Sequence, residues 1–272
     1  MALNRFMMLA ITAALIACGN DDSDFSIQPA GDSSSSIIED GNDSSSSNEQ
    51  TKSSSSVSVS SSSADVEFVD PSAVIMGSLT DKRDGREYKT LKIGNQVWMA
   101  ENLDIETANS YCYNDSAENC SKYGRLYQWS AAMDSAGTWT ANGKGCGYNT
   151  SCTPTYPVRG VCPEGWHLPS QEEWKTLFVA VGGTNTAGKM LKSTSGWDSE
   201  GNGTGAYSFN AMPNGRYYEG GYKYAGRYAY FWSSTERNSK YAYTVYFDFF
   251  SDIANVSDHY ENEANSVRCI KD

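Results

Sequence analysis

Acid–base chemistry near neutral pH has little to draw on in this chain. Only two histidines, His167 and His259, occur among 272 residues, and histidine is the side chain whose ordinary pKa suits that work. His167 stands in Gly-Trp-His-Leu-Pro-Ser just ahead of a strong helix start, where an imidazole bonded to a loop carbonyl is expected. Ser233 and Ser234 lie beside Glu236 in Phe-Trp-Ser-Ser-Thr-Glu. A serine nucleophile needs an adjacent base; none with a fitting context is visible, so the two serines read as turn and strand-end residues. Glu172 and Glu173 fall in a first helical turn, where carboxylates complement the macrodipole, and no glycosidase pair follows from them. A phosphate-binding glycine loop is missing as well. No catalytic residue is assigned, and no enzyme activity is expected.

One stretch stands above this background: Asn-Gly-Arg-Tyr-Tyr-Glu-Gly-Gly-Tyr-Lys-Tyr-Ala-Gly-Arg-Tyr-Ala-Tyr-Phe-Trp, residues 214–232. Tyrosine offers a flat apolar face and a polar tip, suited to stacking on sugar rings or to protein contacts. The candidate ligand-binding residues are Arg216, Tyr217, Tyr218, Tyr222, Tyr224, Arg227, Tyr228 and Tyr230. The competing expectation is that half of these tyrosines point inward as strand residues.

Seven cysteines are present. With Cys18 set aside for lipidation, six remain, an even number suited to an oxidising compartment. Six cysteines allow 15 connectivities, but Cys112 with Cys120 and Cys146 with Cys152 are close in sequence and flanked by turn-forming residues, as small loop staples are. Cys162 is then left to pair with Cys269. Zinc sites show cysteines two residues apart or closely spaced histidines. Neither pattern occurs, so no metal and no cofactor is assigned.

The elements that must position these residues are mostly strands. The clearest helix starts at Ser170, which has capping-box spacing to Glu173; Trp174, Leu177, Phe178 and Val181 share a face, and Gly182-Gly183 ends it. A second helix is expected over about Leu126 to Met133, where Leu126, Trp129 and Met133 share a face. Tyr88 to Met99 reads as a hairpin turning at Gly94-Asn95. Tyr241 to Phe250 alternates, with Tyr243, Val245, Phe247 and Phe249 on one face and Thr244, Tyr246, Asp248 and Phe250 on the other. Asn142-Gly143, Asn202-Gly203 and Asn214-Gly215 mark turns. An α+β arrangement follows.

Five ordered segments carry a family likeness: Tyr88–Leu103, Tyr123–Met133, Val161–Trp174, Phe231–Glu236 and Ser266–Cys269. Together they resemble the Fibrobacter succinogenes major paralogous domain family, from about residue 80 to the end. Members are largely of unassigned function, so the resemblance implies architecture more than biochemistry. More distantly, Cys-Pro-Glu-Gly-Trp-His-Leu-Pro-Ser followed by a terminal cysteine is similar to C-type-lectin-like and sulfatase-modifying-factor domains. That similarity implies a compact, strand-rich α+β fold with two or three short helices, in which a long disulfide ties a central segment to the last strand, in agreement with Cys162–Cys269. The Glu-Pro-Asn or Gln-Pro-Asp loop and the Trp-Asn-Asp segment of calcium-dependent sugar-binding lectins are absent here. Calcium-dependent sugar binding of that kind is not implied.

The amino terminus and the composition set the context. Arg5 precedes an apolar run from Phe6 to Ala17, too short for the ~20 residues of a membrane-spanning helix, and Leu15-Ile16-Ala17-Cys18 resembles a bacterial lipobox. Residues 1–17 are read as a lipoprotein signal peptide and Cys18 as the lipidated residue, two or three acyl chains being enough for stable anchoring. Asp21, Asp22 and Asp24 look like the acidic export signals of surface lipoproteins. Residues 18–65 read as a disordered serine-rich linker: 17 of the 31 residues from Ser33 to Ser63 are serine, with no aromatic among them, too little apolar area to offset the entropy of ordering. Residues 66–272 form one domain. A formal net charge of −12 disfavours nucleic acid as a partner. The expectation is a cell-surface, outer-membrane lipoprotein whose membrane partner is reached through the lipid. Its domain acts as a non-catalytic binding or adhesion module for polysaccharide or a surface protein. The alternatives are a structural envelope component and, third, an enzyme related to sulfatase-modifying factors.

Overall fold

The computed structural model describes residues 67–272. Residues 1–17, read as the signal peptide, Cys18 and the whole of the serine-rich stretch lie outside the described residues.

Two sheets and four short helices build a strand-rich α+β domain. The chain begins with β1 (Ile75–Thr80), β2 (Glu87–Ile93) and β3 (Gln96–Met99). β2 and β3 form the expected hairpin, with Ile93 opposite Gln96 and Gly94 at φ 59° in the turn. β4 (Ser110–Tyr111), α1 (Ala117–Tyr123), β5 (Leu126–Gln128), α2 (Trp129–Ala132) and β6 (Trp166–His167) follow. Next come α3 (Gln171–Ala180), α4 (Thr184–Leu191), β7 (Asn214–Tyr218) and β8 (Gly221–Ala225). The last strands are β9 (Tyr228–Asn238), β10 (Tyr241–Asp248), β11 (Asn255–Tyr260), β12 (Ala264–Ser266) and β13 (Ile270–Lys271). The first sheet runs β1-β2-β3-β13-β6; the second runs β11-β10-β9-β7-β12-β5-β4, with β8 added to β7.

α3 carries both halves of its capping box: Ser170 Oγ accepts from Glu173 N, and Glu173 Oε2 accepts from Ser170 N at 2.7 Å. Its Trp174, Leu177 and Phe178 pack on Phe231, Val245 and Phe247 from one face of the large sheet. The opposite face meets a second core around Trp129, Trp232, Ala242 and Leu103. The three expected disulfides form: Cys112–Cys120, Cys146–Cys152 and Cys162–Cys269.

Several expectations are corrected. The helix expected over Leu126–Met133 is confined to its second half: Leu126 to Gln128 are strand, paired with Ser266 to Ala264 in β12, and Trp129–Ala132 is helical. Long-range ladder bonds override a helical spacing there. Among the described residues the short helices number four. Asn214-Gly215 opens a strand rather than a turn; Gly215 has φ 65°, and a Cβ on it would meet Lys223 O of the neighbouring strand at 2.2 Å. Ser233 and Ser234 are not turn or strand-end residues but lie inside β9, where pairing to β10 jumps from Trp232↔Thr244 to Glu236↔Ala242 across a bulge. His167 bonds no loop carbonyl. Its Nδ1 meets Asp272 Oδ1 at 2.7 Å and its Nε2 meets Glu173 Oε1 at 2.8 Å.

Candidate functional site

Strand alternation sorts the tyrosine-rich residues onto two faces. In β7, Arg216 and Tyr218 point one way and Tyr217 the other; in β8, Tyr222 stands opposite Tyr217 and Lys223 opposite Arg216. One group therefore gathers on the Tyr217 side. Tyr217 stacks on Tyr111 at 4.9 Å and meets Tyr222 edge-on at 5.2 Å, while Tyr222 packs against Tyr113 at 5.3 Å and donates its hydroxyl proton to Asp115. Burial and that carboxylate push the Tyr222 phenol well above its ordinary pKa.

The second group surrounds Arg216. Its guanidinium sits 4.5 Å from the Tyr218 ring, 4.8 Å from Tyr230 and 5.5 Å from Tyr224. Nη1 donates to Glu263 Oε2 at 2.6 Å and also contacts His259 Nδ1, which lies 3.0 Å from the same carboxylate oxygen. Arginine, glutamate and histidine thus form a half-hidden charged centre, and cation–π contacts of this kind contribute about 0.5–2 kcal/mol each. Rings extend outward from it. Tyr230 stacks on Tyr228 at 5.4 Å and packs on Tyr246 at 5.6 Å; Tyr224 meets Tyr228 edge-on at 5.4 Å, and Phe250, 70% exposed, closes the row. Burial raises the Tyr230 phenol far above the usual value, so it stays protonated as a donor.

Of the eight expected residues, Arg216, Tyr218, Tyr224, Tyr228 and Tyr230 come together. Tyr217 and Tyr222 join Tyr111 and Tyr113 instead, and Arg227 lies over Phe249 at 4.9 Å, in neither group. At the turn between β7 and β8 an open groove of about 420 Å³ brings in residues that sequence reasoning missed. Tyr217 and Tyr218 line one part of it; Tyr148 and Tyr260, 37% and 38% exposed, line another, with Gln128 and Asn262 offering amide groups. Tyr148 is presented by the loop that Cys146–Cys152 closes, and Tyr260 is backed by Tyr241 at 4.4 Å. No local signal marks Tyr148 or Tyr260, because the fold alone places them beside residues 217–218. The arrangement can stack flat apolar faces of a ligand and bond its polar edges. Among these residues no nucleophile is paired with a base.

No curated protein and no solved structure matches the chain. The sequence model of the Fibrobacter succinogenes major domain matches residues 91–271, from within β2 to the final strand, and the chain belongs to that family.

Proposed function

We propose that this protein is a non-catalytic binding module for polysaccharide, held at the cell surface of the outer membrane by a lipid on Cys18. The observation that carries it is the groove at the β7–β8 turn, which exposed Tyr148 and Tyr260 and half-buried Tyr218 line together with the amides of Gln128 and Asn262. Sugar rings bind where an apolar face meets aromatic carbon and hydroxyls find fixed polar partners. Tyr224 and Phe250, 37% and 70% exposed, offer further ring surface outside the groove. Anchoring rests on the Leu15-Ile16-Ala17-Cys18 sequence. Among the described residues no helix is long and apolar enough to cross a membrane.

The test is depletion of the full chain from solution by insoluble cellulose or xylan. Retention that a soluble form of the same glycan reverses supports the proposal. Absence of retention on every polysaccharide tried, together with recovery of a stable protein complex from native membranes, supports a structural role in the envelope instead.

A further inference from the structure

The charged side chains that line the groove at the β7–β8 turn are both acidic, Glu219 and Glu263; among the described residues no lysine, arginine or histidine shares the lining. Glu263 arrives there by a local turn. Residues 260–263 reverse the chain between β11 and β12, closed by Glu263 N–H on Tyr260 O at 2.9 Å and braced by Gln128 Nε2 on Asn262 O at 3.2 Å. The turn gives Tyr260, Asn262 and Glu263 to the groove and sends Glu261 into the core.

Glu263 is only 4% exposed. Its Oε2 accepts from Arg216 Nη1 at 2.6 Å and lies 3.0 Å from His259 Nδ1, and neither of those residues lines the groove. Its Oε1 takes no donor among the described residues. The carboxylate oxygens of Glu261, and Oε1 of Glu236, also lack partners but are sealed inside the protein; Glu263 Oε1 is not sealed. A nearly buried carboxylate, fixed from one side by a guanidinium, therefore keeps one acceptor oxygen open toward the groove. Such an oxygen has two lone pairs to fill, and leaving them empty in a partly dry site is costly. Glu219, at the rim, accepts from Lys223 Nζ at 2.9 Å. The bonds from Lys223 and then Tyr218 hold its carboxyl below the ordinary pKa, so it is ionised at neutral pH.

Sugar hydroxyls donate to a carboxylate in charge-assisted bonds. A uronate has no proton to give at neutral pH and brings a like charge, which disfavours association. Even at the dielectric of water, one carboxylate at about 4 Å weakens binding of another by about fivefold. We infer that Glu263, with Glu219 at the rim, sets the specificity of the groove: its open oxygen accepts the hydroxyls of a neutral sugar lying against Tyr148 and Tyr260, and the two carboxylates turn uronate-bearing chains away. This rests on the polysaccharide reading above.

Oligosaccharides of equal length are titrated into the full chain, xylose and glucose oligomers as neutral probes and galacturonic acid oligomers as the acidic one. At low salt the better neutral probe is expected to bind at least about tenfold more tightly than the uronate. That ratio is expected to shrink at about 1 M salt, where the screening length falls to about 3 Å. In Glu219→Gln, whose side chain is 61% exposed, the ratio is expected to fall by about threefold or more. Glu263→Gln is expected to bind the neutral probe at least about fivefold more weakly, since a charge-assisted bond becomes a neutral one. Uronate binding as tight as that of the neutral probe overturns the inference and leaves polysaccharide binding standing, as does a ratio unmoved by both salt and Glu219→Gln, or an unchanged neutral affinity in a folded Glu263→Gln. No binding of any probe removes both. If Glu263→Gln does not fold, the salt series and Glu219→Gln decide.

Discussion

Replacing His167 by glutamine removes a clamp whose strength depends on pH in a way the structure dictates. The imidazole, 6% exposed, bridges Glu173 at 2.8 Å and Asp272 at 2.7 Å, so it joins the cap of α3 to the last residue after β13. Burial, the largest effect, pulls the His167 pKa down, but bonds to Glu173 and then Asp272 outweigh it and hold it above the ordinary value. Burial likewise raises Glu173, and the bonds from His167 and Ser170 more than reverse that. A histidine raised in the folded state contributes stability that is complete below its unfolded pKa and lost as pH rises through its folded pKa; a glutamate lowered in the folded state contributes above its unfolded pKa and loses it as pH falls. The clamp is therefore strongest between those limits, near pH 6. Charge-assisted hydrogen bonds contribute about 1.5–3 kcal/mol each. The Asp272 side chain is 52% exposed, so its bond is screened toward the surface-pair value of under about 1 kcal/mol. His167→Gln should thus lose about 2–3 kcal/mol at about pH 6, and less than half of that at about pH 9, where glutamine and neutral imidazole differ little. Urea unfolding of both full chains across that range reads the gap directly. A gap that is constant, or that widens toward alkaline pH, refutes the charge-based account.

Four further outcomes follow from the same geometry. Replacing Cys162 and Cys269 by serine opens a loop spanning 107 residues and should cost about 5 kcal/mol in the chain-entropy model, against about 2 kcal/mol for Cys146 and Cys152, six residues apart; urea midpoints check the ratio. Arg268 is 1% exposed, with Nε on Asn102 Oδ1 at 2.8 Å, Nη2 on Asn210 O at 2.9 Å and its guanidinium 4.3 Å from the Phe209 ring. Arg268→Ala should cost at least about 3 kcal/mol, since it leaves Asn102 Oδ1 and the Phe209 and Asn210 carbonyls without their donor and opens a cavity, measured as the fall in unfolding free energy. Gly215→Ala should destabilise by more than about 1 kcal/mol, since the new Cβ meets Lys223 O at φ 65°, and should weaken any glycan retention by displacing the β7–β8 hairpin. Reducing Cys146–Cys152 should release Tyr148 from the groove and lower retention while leaving the core transition of the domain in place.

What the sequence disclosed followed the range of the interactions. The capping box at Ser170, the Gly94-Asn95 hairpin and the alternation through β10 are encoded within a few residues, and all three are found. Cysteine spacing sufficed for the disulfides because two of the pairs close short loops. Leu126 to Gln128 misled because a helical spacing of three apolar residues coincides with a segment that β12 and β4 recruit as a strand. Asn214-Gly215 misled in the same manner: the positive φ that suits a turn serves here to bring β8 close to β7. His167 finds its carboxylates 6 and 105 residues away, and only the first lay in view. The tyrosine stretch was conspicuous, yet its division into two faces, and the approach of Tyr148, Tyr246 and Tyr260, arise from sheet order. Glu236 stood out only as the neighbour of Ser233 and Ser234 and Glu261 not at all, since their lack of partners is a property of the packed core.

The most direct test of polysaccharide binding by the groove is calorimetric titration of soluble xylan and cellulose-derived oligosaccharides into the full chain and into Tyr218→Ala/Tyr260→Ala. Both side chains are partly exposed but pack on Arg216 and Tyr241, so the variant should melt a few degrees lower and still be folded at the titration temperature. Wild type should bind one of these glycans and the variant should bind it at least about tenfold more weakly, the equivalent of ~1.4 kcal/mol. Equal affinity in the two proteins, or no heat of binding with wild type for either glycan class, would contradict the account.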